Sequence, residues 1–99
     1  MPDVSGLTAY DTEAVTVTET AVGLTKSKFL GALQGRAALL TVETAQIRYL
    51  MDSTTPTAST GHVANPTAII TLRNPSDLNN FSAIRTGGTS ATLRVTYYR

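Results

Sequence analysis

Short runs that alternate between apolar and polar residues recur along this chain and predict β-strands. In residues 14–20, Val15 and Val17 lie on one side of such a run, and Thr16 and Thr18 lie on the other. A two-residue period is typical of a strand with one buried face. Similar runs fall in residues 67–72, 80–85 and 91–98. Together with the segment described next, they predict about six or seven short strands, as in a small sandwich or barrel.

Residues 37–52 form the longest apolar segment, and two interpretations compete for it. A single helix would place Glu43 on its apolar face, and neither end carries a good cap. As two strands, apolar residues alternate in one parity up to Val42 and in the opposite parity from Ile47. The change of parity predicts a bulge or tight turn at residues 43–45. Frequent Thr, Val, Ile and Tyr favour the two strands.

The C-terminal twenty residues carry two alternating runs around Gly87 and Gly88, which predicts a β-hairpin. Two glycines can supply the positive φ values of a tight hairpin turn. Successive side chains of a strand point to opposite faces. Because Tyr97 shares the parity of Leu93, we expect Tyr97 in the core and Tyr98 on the other face.

The remaining segments are interpreted as connections around a single domain. We expect an N-terminal arm over residues 1–12, a loop with a short turn over 25–35, a long polar loop over 53–66 and a turn over 73–79. The domain then spans residues 13–99. The predicted fold class is all-β, a small antiparallel β-sandwich of jelly-roll-like kind.

Composition supports strands and suggests self-association. The chain has 99 residues, with 18 Thr, 7 Ser and no Cys. Thr is β-branched and favours strands over helices. A domain of this size buries roughly 60–65% of its unfolded surface, which gives only a modest core. Because no disulfide or metal staple is evident from the sequence, we expect oligomerisation to supply further stability.

The charges and apolar runs argue against nucleic-acid and membrane partners. Lys and Arg number 8 and Asp and Glu number 7, and neither sign is clustered. A nucleic-acid-binding surface normally shows a basic patch. No apolar run approaches the roughly 20 residues of a membrane span. The N-terminal residues also lack the pattern of a signal peptide.

No catalytic, cofactor or metal site is predicted, and the chain is expected not to be an enzyme. His62 is the single histidine, and a metal site or a nucleophilic triad needs further partners. The seven carboxylates give no pair a catalytic context. Glu43 and Asp52 are expected to act as ion-pair or turn partners near Arg48, and Asp52 before Ser53 suits a side-chain-capped turn.

The predicted contact surface is the polar loop together with the N-terminal arm. Long loops on rigid scaffolds often carry binding, and hydroxyl side chains form adaptable hydrogen bonds. One exposed tyrosine next to the C-terminus adds an interface residue type. The candidate protein-contact residues are Thr54, Thr55, Pro56, Thr57, Ser59, His62 and Tyr98.

Residues 38–99 resemble small bacteriophage virion structural proteins of about this length. Three stretches carry the resemblance: LTVETAQIRY over residues 40–49, PTASTGH over 56–62 and NFSAIRTGGTSATLRVTYY over 80–98. The chain departs from the family pattern in two turns. Ser53 stands where the family more often has Gly, and Thr67-Ala68 stands where it tends to have Gly-Asp.

The resemblance implies a capsid decoration or cement protein that binds between major capsid subunits. It also implies a homo-oligomer with trimeric symmetry, located in the virion after assembly in the host cytoplasm. Within the same class, a phage tail or head–tail connector protein is the alternative. A carbohydrate-binding module that uses Tyr and Arg at a loop-rich end is the alternative from another class.

Overall fold

The computed structural model describes residues 6–31 and 34–99 and shows two antiparallel sheets packed face to face. The seven strands of the described residues are short, as the alternating runs predict. They are joined by a 3₁₀ turn and by one short helix. The elements are β1 (Ala9–Val17), the 3₁₀ turn (Lys26–Lys28), β2 (Ala37–Glu43), β3 (Ile47–Leu50), β4 (His62–Ala64), β5 (Ile69–Leu72), α1 (Pro75–Asn80), β6 (Ser82–Arg85) and β7 (Ala91–Tyr98).

The larger sheet has four strands in the order β1-β7-β2-β5, and the smaller sheet has three in the order β4-β3-β6. All the neighbouring strands within both sheets are antiparallel. Strand β7 is central in the larger sheet, because Thr96 lies opposite Thr12 of β1 and also opposite Leu39 of β2. The prediction of an all-β fold with antiparallel sheets is confirmed.

The core lies between the two sheets and follows the predicted alternation. Every second residue of β7 is buried, from Ala91 through Leu93 and Val95 to Tyr97, while Arg94 between them is exposed. Val15 and Val17 of β1, Leu40 and Val42 of β2, and Ile47 of β3 join the same cluster. Tyr97 is fully buried and Tyr98 is partly exposed, as the parity predicts.

The two-strand interpretation of residues 37–52 is confirmed, and the tight connection carries the chain from one sheet to the other. Strand β2 belongs to the larger sheet and β3 to the smaller one. Between them, Thr44 adopts a φ of 81°, and the Ala45 amide donates to the Glu43 carbonyl at 3.0 Å. The parity of the apolar residues therefore changes because the chain changes sheets.

The predicted C-terminal hairpin is wrong. Strand β6 pairs with β3 in the smaller sheet, and β7 pairs with β1 and β2 in the larger sheet. Neither Gly87 nor Gly88 adopts a positive φ. Residues 86–90 cross between the sheets, so the glycines lie in an open crossing and not in a tight turn.

Three of the predicted boundaries also differ from the structure. Strand β1 includes residues 9–12, which the sequence predicts to be part of the arm, and residues 1–5 of that arm lie outside the described residues. Strand β4 takes up part of the predicted loop 53–66. The predicted turn at 73–79 is helix α1, which Asn74 caps by accepting from the Asp77 amide at 2.9 Å and which Pro75 begins.

A polar cluster closes one end of the sandwich. The carboxylate of Glu13 accepts a hydrogen bond from the Tyr97 hydroxyl, and it also accepts from the amide and the hydroxyl of Thr25. Lys28 contacts Asp11 at 3.0 Å and thereby fixes the 3₁₀ turn to β1. Burial, together with the hydrogen bond to Glu13, raises the pKa of Tyr97 well above its usual range.

We expect Tyr97→Phe to flatten the loss of stability at alkaline pH. An unfolded tyrosine ionises near pH ~10, whereas native Tyr97 stays protonated, so the unfolded state binds fewer protons there and stability falls as the pH rises. The variant should lose this contribution and should be about 1–2 kcal/mol less stable at neutral pH, because Glu13 loses a donor. Denaturant unfolding at pH values from about 7 to 11 measures both effects. Parallel pH profiles for the two proteins would contradict the assignment.

Left-handed backbone at Thr67 gives a second expectation. Thr67 has a φ of 78°, and its amide donates to the Val42 carbonyl at 2.7 Å. A β-branched residue is costly there, by about 1–2 kcal/mol, and glycine adopts this region freely. Thr67→Gly should therefore raise the free energy of unfolding by about 0.5–1 kcal/mol after the entropy cost of glycine. In the matched control Thr71→Gly, within β5, stability should fall by about 1 kcal/mol. Equal losses in both variants would show that Thr67 is not strained.

Candidate contact site

The predicted contact loop connects β3 to β4 and is held in one conformation by its own hydrogen bonds. We define the contact loop as residues 52–61. Six of its residues carry hydroxyl groups and all six are exposed, including the predicted contact residues Thr54, Thr55, Thr57 and Ser59. Three local arrangements fix the backbone that presents these side chains: a turn at Asp52, a turn centred on residues 57–60, and an arginine beneath the loop.

The first arrangement is the turn at Asp52. The Asp52 carboxylate accepts from the Thr54 amide at 3.0 Å, which confirms the side-chain-capped turn that the sequence predicts. Ser53 lies between them with a φ of 69°. The hydrogen bond from Thr54 lowers the pKa of Asp52, so this carboxylate stays charged into the acidic range. The turn is therefore formed above the unfolded pKa of the carboxylate and is lost as the pH falls through its lowered native value.

The second arrangement is a tight turn next to a buried proline. Thr57 and Thr60 exchange two backbone hydrogen bonds, at 3.0 and 3.2 Å. The Thr57 hydroxyl also accepts from the Ser59 amide at 3.3 Å. Pro56 precedes this turn and is among the most deeply buried side chains of the protein. The proline therefore anchors the loop to the core.

The third arrangement is Arg48 of β3, which lies under the loop. Its guanidinium donates to the Ala58 carbonyl at 3.1 Å and to the Gly61 carbonyl at 2.8 Å. Gly61 has a φ of 128°, and a Cβ there would approach the Tyr49 carbonyl to 3.2 Å, so the loop requires a residue without a side chain at its end. The predicted role of Arg48 as a partner of carboxylates is therefore wrong.

The two acidic residues of that prediction, Glu43 and Asp52, have partners other than Arg48. The Glu43 carboxylate lies 3.1 Å from the Arg94 guanidinium of β7, on the outer face of the larger sheet. Asp52 uses its carboxylate in the loop turn described above. Both acidic residues have the turn or ion-pair roles expected of them, but with partners other than Arg48.

A polar cleft lies beside the start of the contact loop. It has a volume of about 390 Å³ and lies where the loop, the segment around the 3₁₀ turn and the end of helix α1 meet. Lys26 crosses one wall, where its ammonium donates to the Asn79 backbone carbonyl at 2.8 Å and to the side-chain carbonyl at 2.9 Å. The other lining residues are Gly23, Ser53, Thr54, Thr55, Asn80, Phe81 and Ser82. The cleft thus presents hydroxyl and amide groups around a single fixed cation.

The structure brings together only some of the seven predicted contact residues. Thr54 and Thr55 line the cleft, and Thr57 and Ser59 are exposed further along the loop. His62 is exposed on β4, with its ring 5.5 Å from that of Tyr49. The remaining two predicted residues lie apart from this group. Pro56 is buried beneath the loop, and Tyr98 is partly exposed on the other sheet, opposite Ala9 and Ala37.

Three residues that position this site escaped sequence analysis. Lys26 and Asn79 are 53 residues apart, and no local signal links them. Arg48 donates to backbone carbonyls. Because every residue has a carbonyl group, no sequence pattern identifies these partners. Within the described residues, no group of three or more His, Cys, Asp or Glu side chains is arranged to hold a metal ion. The helices of the same residues include none that is long and apolar enough to cross a bilayer.

No protein family, curated protein or solved structure is matched by this chain. The likeness to phage virion proteins therefore stays a prediction from the quoted sequence stretches.

We expect Arg48→Met to loosen the contact loop while leaving the sandwich folded. Methionine keeps the apolar contacts of the stem but loses the hydrogen bonds to Ala58 and Gly61, each worth about 1 kcal/mol or somewhat more for a charged donor. Amide hydrogen exchange in residues 57–61 should speed up, whereas exchange in β7 should stay slow. The matched control Arg73→Met removes an exposed arginine outside the loop and should leave the exchange of residues 57–61 unchanged. Unaltered loop exchange in Arg48→Met would show that Arg48 is not an anchor.

Proposed function

We propose that this protein is a non-enzymatic virion structural protein that decorates a phage capsid by binding between major capsid subunits. The contact loop is the surface that meets the neighbouring subunits. The anchored loop is the observation that carries this proposal. Six hydroxyl-bearing residues lie on a backbone fixed by Asp52, by the buried Pro56 and by Arg48. A loop that is ordered before binding loses little entropy in the complex.

The order of the strands supports the jelly-roll-like part of the prediction. Val22 forms an isolated antiparallel bridge with Ala83, on the side of β6 that faces away from β3. If the segment at Val22 is counted as a reduced strand, each sheet has four members. A double-sheet jelly roll has eight strands in two sheets, and viral capsid proteins are among the proteins built on it. Lectins share this architecture, so the likeness is an argument by analogy of fold.

Backbone geometry at the two departures from the family pattern supports the resemblance. The family favours glycine at the positions of Ser53 and Thr67. Both residues adopt a positive φ here, of 69° and 78°. Positive φ is the region in which glycine is preferred. The backbone thus has the conformation that a glycine-bearing relative would need, although this chain carries other residues.

Stabilisation of the capsid would follow from mass action. A protein that binds the assembled shell and not its loosened form shifts the equilibrium towards the assembled form. Each contact loop offers modest hydrogen bonds, and the symmetry of a shell repeats them many times. The summed contacts would then resist the outward pressure of packaged DNA.

Localisation on particles tests the proposed function. Particles released from cells that carry this gene are purified on a density gradient and labelled with a gold-conjugated antibody against the protein. We expect label over the whole head surface and a fixed copy ratio to the major capsid protein. Label confined to the tail would support the tail or connector alternative, and absence from particles would overturn the virion role. Glycan binding without particle association would favour a carbohydrate-binding module.

Loop variants test the contact surface. Particles that lack the protein are mixed with purified wild-type or variant chain, and occupancy is measured on gradient fractions. Replacing Thr54, Thr55 and Ser59 with alanine should reduce occupancy, because the partner loses three hydrogen-bonding groups. The control Thr92→Ala with Thr96→Ala removes hydroxyls from the outer face of β7 and should leave occupancy unchanged. Equal occupancy for both variants would place the contact surface elsewhere.

A further inference from the structure

We propose that the outer edge of β1 is a self-association site, at which β1 pairs antiparallel with β1 of a second copy of this chain. The proposal does not depend on the virion role. It rests on the direction of backbone groups along β1, on the small side chains between them and on the pairing of nearby charges within the subunit.

The register with β7 shows which backbone groups of β1 point outward. Thr8 and Arg99 exchange two hydrogen bonds, at 2.9 and 3.0 Å, so the odd-numbered residues of this end of β7 direct their backbone groups towards β1. Glu13 and Val15 lie opposite odd-numbered residues of β7, whereas Ala14 lies opposite Arg94. The backbone groups of Thr12, Ala14 and Thr16 therefore point away from the sheet.

One side-chain contact confirms this direction. The Thr12 amide donates to the Asp11 carboxylate at 2.8 Å, on the side away from β7. Within residues 6–31 and 34–99, the amides and carbonyls of Ala14 and Thr16 have no hydrogen-bond partner beyond the sheet. Such a row of open donors and acceptors is a template for another strand.

The other sheet edges of the described residues are shorter or covered. Strand β4 has three residues and β5 has four. The outer side of β6 is occupied, because Val22 exchanges two hydrogen bonds of 2.9 Å with Ala83, and the Arg85 amide donates to the Thr18 carbonyl at 3.0 Å. Strand β1 has nine residues, and from Thr12 onward its outward side chains are uncharged. Short strands, coverage, bulges and edge charges are the usual protection of an edge. Strand β1 has a register shift and the Asp11 carboxylate at its start, but none of these devices from Ala14 to Val17.

Residue spacing on β1 favours a second copy over another occupant. The outward side chains are symmetric about Ala14, because a threonine lies two residues away on each side, at Thr12 and Thr16. A two-fold axis at Ala14 therefore places each Thr12 opposite Thr16 of the second copy. Ala14 then faces Ala14 of the second copy, where a small side chain allows close approach. The amides of Ala14 and Thr16 in the two copies supply four backbone hydrogen bonds, and the two Thr12 amides add two more by exchanging their bonds to Asp11. The result is one continuous eight-stranded sheet, with β5 at both ends.

Charge near this edge does not oppose the pairing. Asp11 is neutralised by Lys28 at 3.0 Å, and the Glu13 carboxylate is occupied by Tyr97 and Thr25 of its own chain. The charge of Asp11 is therefore balanced before two copies approach, and the charge of Glu13 is held by neutral donors of its own subunit. A two-fold contact gives a dimer, in contrast to the trimer that the phage resemblance implies.

Cysteine cross-linking tests the axis directly, because the natural chain has no cysteine. Facing residues of an antiparallel pair have Cα atoms about 5.5 Å apart, within disulfide range. Under mild oxidation Ala14→Cys should form a disulfide-linked dimer quickly and almost completely. The control Thr92→Cys, on the outer face of β7, should cross-link slowly and only by random collision. Equal rates in the two variants would overturn the proposal.

Sedimentation of the untagged chain provides the second readout. At about 100 µM the chain should have twice the mass of one subunit and should dissociate on dilution. Ala14→Lys places two cations on the axis and should weaken the dimer at least roughly tenfold. Thr92→Lys should leave it unchanged. A wild-type chain that stays monomeric, or one that forms trimers insensitive to Ala14→Lys, would show that the second copy does not occupy this edge.

Discussion

The double pairing of β7, with β1 along one side and β2 along the other, is the interaction on which the rest of the structure depends. Strand β7 is the last strand in the sequence, yet it lies between the first strand, β1, and the second strand, β2. Its inner face places Leu93, Val95 and Tyr97 in the centre of the core. Because the chain closes on itself in this way, neither sheet can form from a continuous stretch of sequence.

This closure explains where the connections run and where function can lie. Strands β2 and β3 belong to different sheets, as do β6 and β7, so the segments between them cross from one layer to the other. The contact loop is different, because it returns within the smaller sheet from β3 to β4. Its anchor Arg48 lies on β3 itself, so the rigidity of the sheet is passed to the loop. A loop fixed in this way suits recognition of a rigid, repeated partner.

Much of the strand content could be predicted from the sequence, because alternation records which face of a strand is buried. The inward positions of Val15, Leu40 and Tyr97 follow directly from that period. Alternation does not record which strand lies alongside, so the predicted pairing of β6 with β7 failed. Gly87 and Gly88 encouraged that error, since glycine pairs occur in open crossings as well as in hairpins. The choice of partner is decided by packing across the whole sandwich, which no local window contains.

The composition of the contact site was predictable from the sequence, but the residues that hold the loop and the cleft in place were not. Hydroxyl-rich residues bounded by prolines marked the loop, and the turn at Asp52 followed from its sequence. The supports come from distant positions and use backbone carbonyls, as Arg48 does, or long-range side chains, as Lys26 and Asn79 do. Pro56 was predictable as a residue of the contact loop, but its burial, which attaches the loop to the core, was not.

The most direct test of this account is the pattern of α-proton contacts across β7 in solution NMR. In pairs of facing residues that do not exchange hydrogen bonds, the α-carbons approach to about 4.5 Å, so their α-protons give strong cross-strand signals. The structure predicts such signals between Thr16 and Thr92 on the β1 side, and between Leu40 and Val95 on the β2 side. Signals between β6 and β7 instead, for example between Ala83 and Thr92, would restore the C-terminal hairpin and contradict the account.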